Sequence, residues 1–375
     1  MDDNPVLVFY NPPQQKGGSD IYFLDIIKFL KKLNFNITIL FPQNSREILD
    51  DYNGIKFEKI TLNTVDFEIK YNKILAFLIR PLLMIYDIYI IKKFLKKNHK
   101  LVIVVNGGYP GSLTALSINI AAWIASLKNF LIILSTPANI NLIKPMEFLY
   151  DYIVNKSVSK VIVNSDFQKQ ALSKLRRFEK KKIEILYNGI NPPKIIRNKI
   201  VNDKIKIGYL GRIDETKGLQ LVLDTIKKFE SEIDFIIAGE GPYLRKLIEE
   251  VENKKISNVF FPGYIVNKSE FFNEIDLFLF PSLWEGFPYS IVEALGFEIP
   301  IISNNCGGIA EFIIHNKTGY LINILNSNEL EVGLMKYLRD PLYFESLAGN
   351  GKIIFNKELT SDNMLNKFAE ILKKN

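Results

Sequence analysis

The sequence predicts an α/β protein of two domains, each a parallel sheet wrapped by helices. Three observations predict it. Short apolar runs alternate with amphipathic stretches of helical length along both halves of the chain. In the second half, glycines or cations follow four of the apolar runs, where the strand ends of an open parallel sheet meet ligands. The 375 residues, 47% hydrophobic and 12% aromatic, suffice for two cores and exceed most single ones.

The 16 prolines and 21 glycines are ordinary numbers, so no long disordered tract is expected. The one cysteine, Cys306, excludes an internal disulfide and fits a reducing cytoplasm. The start, Met1-Asp2-Asp3-Asn4-Pro5, has neither the basic region nor the apolar core of a signal peptide. Charge sums to +7, with lysines at Lys92-Lys93, Lys96-Lys97 and Lys180-Lys181-Lys182. A basic surface suits anionic membranes, phosphorylated ligands or nucleic acid. No nucleic-acid motif accompanies the charge, so nucleic acid is not an expected partner. A lysine- and isoleucine-rich composition throughout is the plainer account.

Val6 to Tyr10 reads as the first buried strand and Ile37 to Phe41 as the second. Between them, Ser19 is placed to cap a helix from Asp20 to Leu33, its apolar stripe running from Ile21 through Leu24 and Ile27. The pair Gly17-Gly18 precedes it. It either lets backbone approach a phosphate or makes a plain turn. There is no G-x-G-x-x-G, so a dinucleotide site is not supported. Tyr71 to Phe94 is apolar and aromatic but is interrupted by Arg80, Pro81 and Asp87. It makes a poor transmembrane span and reads either as a helix on a membrane surface or as a core helix with a basic end. Strands follow at Leu101 to Val105, Phe130 to Leu134, Val161 to Val163 and Ile183 to Leu186. Their carboxyl ends carry Asn106 to Tyr109 and Ser135 to Asn139. The turn-rich run Tyr187 to Pro193, with Ile195 to Asp203 after it, reads as the linker.

In the second half Ile205 to Leu210 is a strand, followed by Gly211-Arg212 and, within one loop, Lys217-Gly218. Two such cations are able to clamp a diphosphate, arginine by its fork and lysine as a point charge. Ile233 to Ala238 leads to Gly239-Glu240-Gly241-Pro242, with the proline suited to a first helical position. Ile299 to Ser303 leads to Cys306-Gly307-Gly308, and Gly319 to Ile322 closes the sheet. Between these, Leu277 to Phe280 is a buried strand ended by Pro281-Ser282. Glu285 then falls in the loop after it. Glu293, eight positions on, falls within the first turns of a helix that Pro288 is placed to start. Carboxylates there accept hydrogen bonds from hydroxyls, as on ribose or a sugar ring; a capping glutamate beside a solvent-facing one is the plain alternative.

Taken in order, Gly211-Arg212, Lys217-Gly218, Ala238 to Pro242, Pro281-Ser282 with Glu285-Gly286-Phe287, Glu293-Ala294, and Gly307-Gly308 with Glu311 and Gly319 resemble the retaining glycosyltransferases of family four, group 1. Val163-Asn164-Ser165 and Tyr187 to Ile190 are similar to the end of that family's first domain, and Gly17-Gly18 to its first loop. The resemblance is strongest from about Val161 to Ile322. It implies the GT-B fold, two Rossmann-like domains facing a central cleft where donor and acceptor meet. The boundaries it suggests are an acceptor domain at 1–195, a donor domain at 196–360 and a last helix at 361–375 that packs back on the first domain. It implies that Arg212 and Lys217 hold the diphosphate, that Glu293 binds ribose hydroxyls and that Glu285 meets the transferred sugar. Gly17, Gly18, Gly211, Gly239, Gly241, Gly286, Phe287, Pro288 and Gly308 would line the donor pocket.

The chain departs from the family in one respect. The family often places a histidine at a strand end of its first domain, and this chain has only His99 and His315. Asn106 is the expected catalytic stand-in, with Tyr109, Ser135 or Thr136 on the acceptor side. No D-x-D pair and no His/Cys cluster is present, so neither metal nor other cofactor is expected beyond the nucleotide-sugar substrate. The function expected is transfer of a sugar from a nucleotide-diphosphate sugar to a glycan or glycolipid in cell-surface polysaccharide synthesis, as in lipopolysaccharide. The enzyme is expected in the cytoplasm, peripheral on an anionic membrane face. A silent nucleotide-sugar-binding subunit and a GT-B nucleotide-sugar epimerase are the alternatives.

Overall fold

The structure is a computed structural model that describes residues 5–11, 17–42, 55–60, 73–95, 99–107, 109, 113–134, 145–193 and 204–373. The chain divides into two compact units, one ending at Leu186 and one running from Tyr187 to Lys374.

The first unit alternates strands and helices in chain order: β1 (Pro5–Tyr10), α1 (Gly18–Lys32), β2 (Asn36–Pro42), β3 (Lys56–Ile60), α2 (Lys73–Leu95), β4 (Leu101–Asn106), α3 (Leu113–Ile124), β5 (Lys128–Ile133), α4 (Pro145–Ser157), β6 (Lys160–Val163), α5 (Asp166–Leu175) and β7 (Ile183–Ile185). All seven strands are parallel, in the order β3-β2-β1-β4-β5-β6-β7. β1, β4 and β5 are buried along almost their whole length, which is why they read as continuous apolar runs. β3 was not legible as a strand: Lys-Phe-Glu-Lys-Ile is an edge strand with three charges in five residues. Strand order reverses between β1 and β4, and Tyr10 sits in register with Val105, so the chain leaves both strands at one switch point. Among the described residues no helix is long and apolar enough to cross a membrane.

The cap of α1 differs from expectation. Gly17, not Ser19, is the N-cap, and the helix begins at Gly18. The Asp20 carboxylate accepts from the Gly17 backbone N–H at 2.8 Å and from the Tyr10 hydroxyl at 2.9 Å. An acidic group already occupies the amide that a phosphate would seek.

The second unit holds β8 (Ile205–Leu210), α6 (Leu219–Lys227), β9 (Ile233–Ala238), α7 (Leu244–Asn253), β10 (Val259–Gly263), α8 (Lys268–Glu274), β11 (Leu277–Phe280), α9 (Tyr289–Gly296), β12 (Ile301–Asn304), β13 (Tyr320–Ile322), α10 (Ser327–Arg339), α11 (Pro341–Glu358) and α12 (Ser361–Lys373). Its six strands are parallel in the order β10-β9-β8-β11-β12-β13, so the reversal falls between β8 and β11. β10 escaped the sequence reading because its residues alternate in exposure and Pro262 and Gly263 end it. Pro242 stands two residues ahead of α7 rather than at its first position, and Pro288 is the N-cap of α9 rather than a first-turn residue.

The linker expected from Tyr187 is corrected in its described part. The Asn188 side chain donates to the Phe287 carbonyl at 2.6 Å. The Ile190 N–H donates to Leu359 at 3.1 Å, and the Ser361 N–H donates back to Ile190 at 2.9 Å. Turn residues there serve close packing, not slack. Residues 194–203 lie outside the described residues. α12 forms where expected and falls within the second unit.

Gly218 fixes the approach of two strand-end loops. Its φ of +67° is left-handed, and a Cβ there would stand 2.3 Å from the Pro281 carbonyl oxygen. Gly218→Ala is therefore expected to cost at least about 1–3 kcal/mol, read as a lower urea midpoint at unchanged slope. A midpoint equal to that of the parent chain would remove this reason for the glycine.

Candidate active site

The loops after β8 and β11 leave adjacent strands at the switch point of the second sheet, and they bring opposite charges together. After β8 a short 3-10 turn, Glu215–Lys217, is capped by Asp214, whose carboxylate accepts from the Thr216 N–H at 2.9 Å. That turn delivers the Lys217 ammonium to the Glu285 carboxylate, Nζ to Oε1, at 2.7 Å. Both side chains are largely buried. The Ser282 hydroxyl donates to the same Oε1 at 3.0 Å. Residues 68 apart in sequence, expected to meet diphosphate and sugar respectively, are partners of one another.

The backbone around Glu285 is set by close approach. Gly307 has φ of +56°, and a Cβ on it would stand 1.8 Å from the Glu285 carbonyl oxygen. The Gly308 N–H donates to the Gly286 carbonyl at 3.0 Å. The loop after β12 thus braces the loop after β11. Asn304 continues the brace, its side chain donating to the Ser282 carbonyl at 2.9 Å. The Cys306 thiol donates to that carbonyl too, at 3.0 Å. Burial pushes this thiol up to about 12, with Glu285 adding and Lys217 opposing, so it is no nucleophile at neutral pH.

Arg212 is more than half exposed, with Nη2 2.6 Å from Asp214 Oδ2. Beneath it the buried Tyr209 hydroxyl donates to the Arg212 carbonyl at 3.0 Å. Burial, then the Glu285 and Asp214 charges, raise this phenol well above its usual range, so it remains a neutral donor. Gly211 and Gly239 lie side by side at the ends of β8 and β9, the Gly211 N–H donating to Ala238. The Ile213 N–H donates to Glu240 at 2.8 Å, which seats Gly241 against the same loop.

Glu293 lies on α9 and is buried. Its Oε1 receives the Lys268 ammonium at 2.5 Å. Its Oε2 is buried with no hydrogen-bond partner. Burial raises this carboxyl above the ordinary glutamate range, Lys268 opposing. Such an orphaned oxygen at a strand-end crevice is what a hydroxyl-bearing ligand would satisfy. Phe287 and Pro288 complete the loop, with Phe287 buried against Tyr187 and Phe312.

In the first unit, Asn106 ends β4 at the switch point and is buried. Gly17 and Gly18 are exposed where the chain enters α1. Tyr109 differs from expectation. It is buried, and its hydroxyl donates to Asp151 at 2.8 Å. Arg176 reaches the other oxygen of that carboxylate at 3.3 Å. Tyr109 thus belongs to a buried acid–base cluster rather than presenting a free hydroxyl to an acceptor. Ser135 and Thr136 lie outside the described residues. No group of three or more metal-ligating side chains gathers among the described residues.

Lys268, Asp214, Ser282 and Asn304 were not singled out by the sequence as site residues. Ser282 stood within a noted strand-end pair. Lys268 carried no signal, because it meets Glu293 only through the turn after β10.

Residues 192–353 match the family model described as glycosyl transferases group 1, and residues 16–194 match that of glycosyltransferase family 4. The O-antigen biosynthesis glycosyltransferase WclY of Escherichia coli is 28% identical over 51% of this chain and 55% of its own length. The poly(ribitol-phosphate) alpha-N-acetylglucosaminyltransferase of Staphylococcus aureus is 24% identical over 59% of this chain and 45% of its own. The chain spans about half of the length of these two relatives. Among solved structures, a glycosyltransferase from Rickettsia africae superposes with a TM-score of 0.81 at 17% identity, covering 100% of this chain and 99% of that one. Anabaena HepE in complex with UDP and glucose superposes with a TM-score of 0.76 at 17% identity, covering 98% of this chain and 99% of that one. The shared fold is GT-B in outline: two parallel α/β units, each with its strand order reversing once.

Proposed function

We propose that this chain, which belongs to the group 1, family 4 glycosyltransferases, moves a sugar from a nucleotide-diphosphate sugar to a glycan or glycolipid acceptor and retains the anomeric configuration. The observation that carries the donor part is the Lys217–Glu285 pair at the β8/β11 switch point, 2.7 Å apart and largely buried. A cation and a carboxylate held there supply what a sugar diphosphate needs, charge for its phosphates and an acceptor for its hydroxyls. On donor binding Lys217 turns to the diphosphate with Arg212, and Glu285 takes sugar hydroxyls. Glu293 accepts from the ribose.

Chemistry follows from charge placement. The bond from the anomeric carbon to the leaving phosphate breaks as negative charge grows on the diphosphate. Preorganised cations there stabilise the transition state more than the ground state. The acceptor oxygen bonds to the anomeric carbon on the face the diphosphate departs from and passes its proton to the leaving phosphate oxygen, which gives retention. Arg212 and Lys217 supply the neutralising charge, and we assign no metal. Relatives named for O-antigen and poly(ribitol-phosphate) synthesis support an acceptor in cell-surface polysaccharide assembly. The solved structure with UDP and glucose supports a uridine nucleotide as the first donor to try.

The test is transfer from a panel of nucleotide sugars to lipid-linked and free glycan acceptors, with and without a chelator. Turnover with one nucleotide family, unchanged by the chelator, is expected. Donor binding with no transfer to any acceptor would point to a silent binding subunit, and free rearranged sugar nucleotide to an epimerase.

A further inference from the structure

The helical layer formed by α2, α3 and α4 leaves an apolar surface that the transfer chemistry does not use. α3 lies on β4 and β5, with α2 on one flank and α4 on the other. On α2 the inner face is buried through Met84, Asp87, Ile91 and Leu95. A surface helix of this kind should be polar on its outer face. Instead Leu82, Ile85, Tyr86 and Tyr89 form a stripe at i, i+3, i+4 and i+7, exposed by 67, 63, 54 and 66%. α4 repeats the pattern with Leu149 and Tyr152, both more than half exposed. Trp123, near the end of α3, is also more than half exposed. Apolar surface of this extent marks an interaction face.

Among the described side chains of these three helices the exposed charges have one sign, and Glu179, just beyond them, is paired with Lys181 at 3.3 Å. Among the described side chains of the three helices the only carboxylates, Asp87 and Asp151, are buried. The exposed ionised groups are lysines. Lys93 continues the α2 stripe one turn beyond Tyr89, and Lys156 continues that of α4. The Lys156 ammonium stands 5.8 Å from the Tyr152 ring centre, and the Arg177 guanidinium stands 5.3 Å from that of Phe148. Aromatic rings with cations beside them are the composition of a bilayer interface, where rings sit at headgroup depth and cations meet lipid phosphates. A second copy of this face would set lysines against lysines, which works against self-pairing.

We propose that α2, α3 and α4 together form a docking face for an anionic lipid bilayer, with Leu82, Ile85, Tyr86 and Tyr89 entering the interface and Lys93, Lys156 and Arg177 on the headgroups. This deepens the membrane-side acceptor reading above and fixes which surface of the chain meets the lipid. It stands apart from the donor chemistry. Three cations, each worth roughly fivefold in partitioning beside an anionic surface, give on the order of a hundredfold preference over neutral lipid.

The test is co-sedimentation of the full chain with vesicles of phosphatidylcholine alone and of phosphatidylcholine mixed with phosphatidylglycerol. Wild type is expected to sediment with the anionic vesicles, to stay largely in solution with the neutral ones and to be released by high salt. Ile85→Ser with Tyr89→Ser, and separately Lys93→Glu with Lys156→Glu, are each expected to lose at least tenfold in partitioning. These positions are exposed, so thermal midpoints should stay close to that of wild type. Wild type remaining in solution with both lipids, or either double variant binding as tightly as wild type, would overturn the proposal. So would a dimer in light scattering that dissociates on Ile85→Ser with Tyr89→Ser, which would hand the face to a second copy. A nucleotide thermal shift on the same samples tells a failed donor site from a failed lipid face.

Discussion

Lys217→Met is expected to lower transfer by about 10²–10³-fold, the loss typical of removing one preorganised donor to a developing negative charge. Lys217 is also the partner of Glu285 at 2.7 Å, so the substitution also leaves a largely buried carboxylate with less compensation. Ser282 still donates to that carboxylate at 3.0 Å, and the fold should survive with a lowered urea midpoint. A second substitution separates the two effects. Adding Glu285→Gln removes the stranded charge and should recover stability, while transfer stays at the low level. If Lys217→Met alone transfers within a few-fold of wild type, the diphosphate role is wrong. If Lys217→Met costs no further transfer on a Glu285→Gln background, the lysine acts only through its pairing with Glu285.

Glu293→Ala is expected to abolish nucleotide-induced stabilisation. One-site linkage gives wild type about 2.7 kcal/mol at a hundredfold excess of nucleotide over its dissociation constant. The variant should show no shift with the same nucleoside diphosphate. Deoxyribose nucleotides should stabilise wild type less, because a hydroxyl that the carboxylate accepts from is missing. No shift for folded wild type with any nucleotide would end the donor assignment. Burial raises the Glu293 carboxyl above the ordinary glutamate range, with Lys268 opposing. The ionised form is the one that accepts two hydroxyl hydrogen bonds, so affinity should fall as pH drops through a value above that range. Stability without ligand runs the other way. A carboxyl whose folded pKa exceeds its unfolded one favours folding at pH below the unfolded value and loses that contribution as pH rises through the folded value. Glu293→Gln, which cannot ionise, should therefore shift the difference between neutral and acid stability in favour of neutral pH. A wild-type-like difference in the Gln variant would show that the cost lies elsewhere.

The alternation of strands and helices was legible because central parallel strands are apolar on both faces. β1, β4, β8 and β11 announce themselves as runs, whereas β3 and β10 sit at sheet edges and carry charge or proline. The glycines were legible as a class and not as roles. Gly218 and Gly307 prove to be backbone approaches to Pro281 and Glu285, while the Gly17 amide is taken by the Asp20 carboxylate. Tyr109 sat at a plausible strand end, and only packing showed its hydroxyl committed to Asp151. Tyr187 to Pro193 looked like a linker because turn residues look alike whether they span a gap or pack tightly.

By itself the sequence determined the fold class and the residue types at the strand ends of the second sheet: two cations after one strand, two carboxylates after another. Periodicity and residue chemistry are local properties, and local spacing carries them. The tertiary structure decided which of those groups meet. It paired Lys217 with Glu285 and Lys268 with Glu293, left one buried Glu293 oxygen without a partner, and turned a second apolar stripe of α2 outward. Strand order and helix packing set these contacts across tens of residues, and no spacing within the chain encodes them.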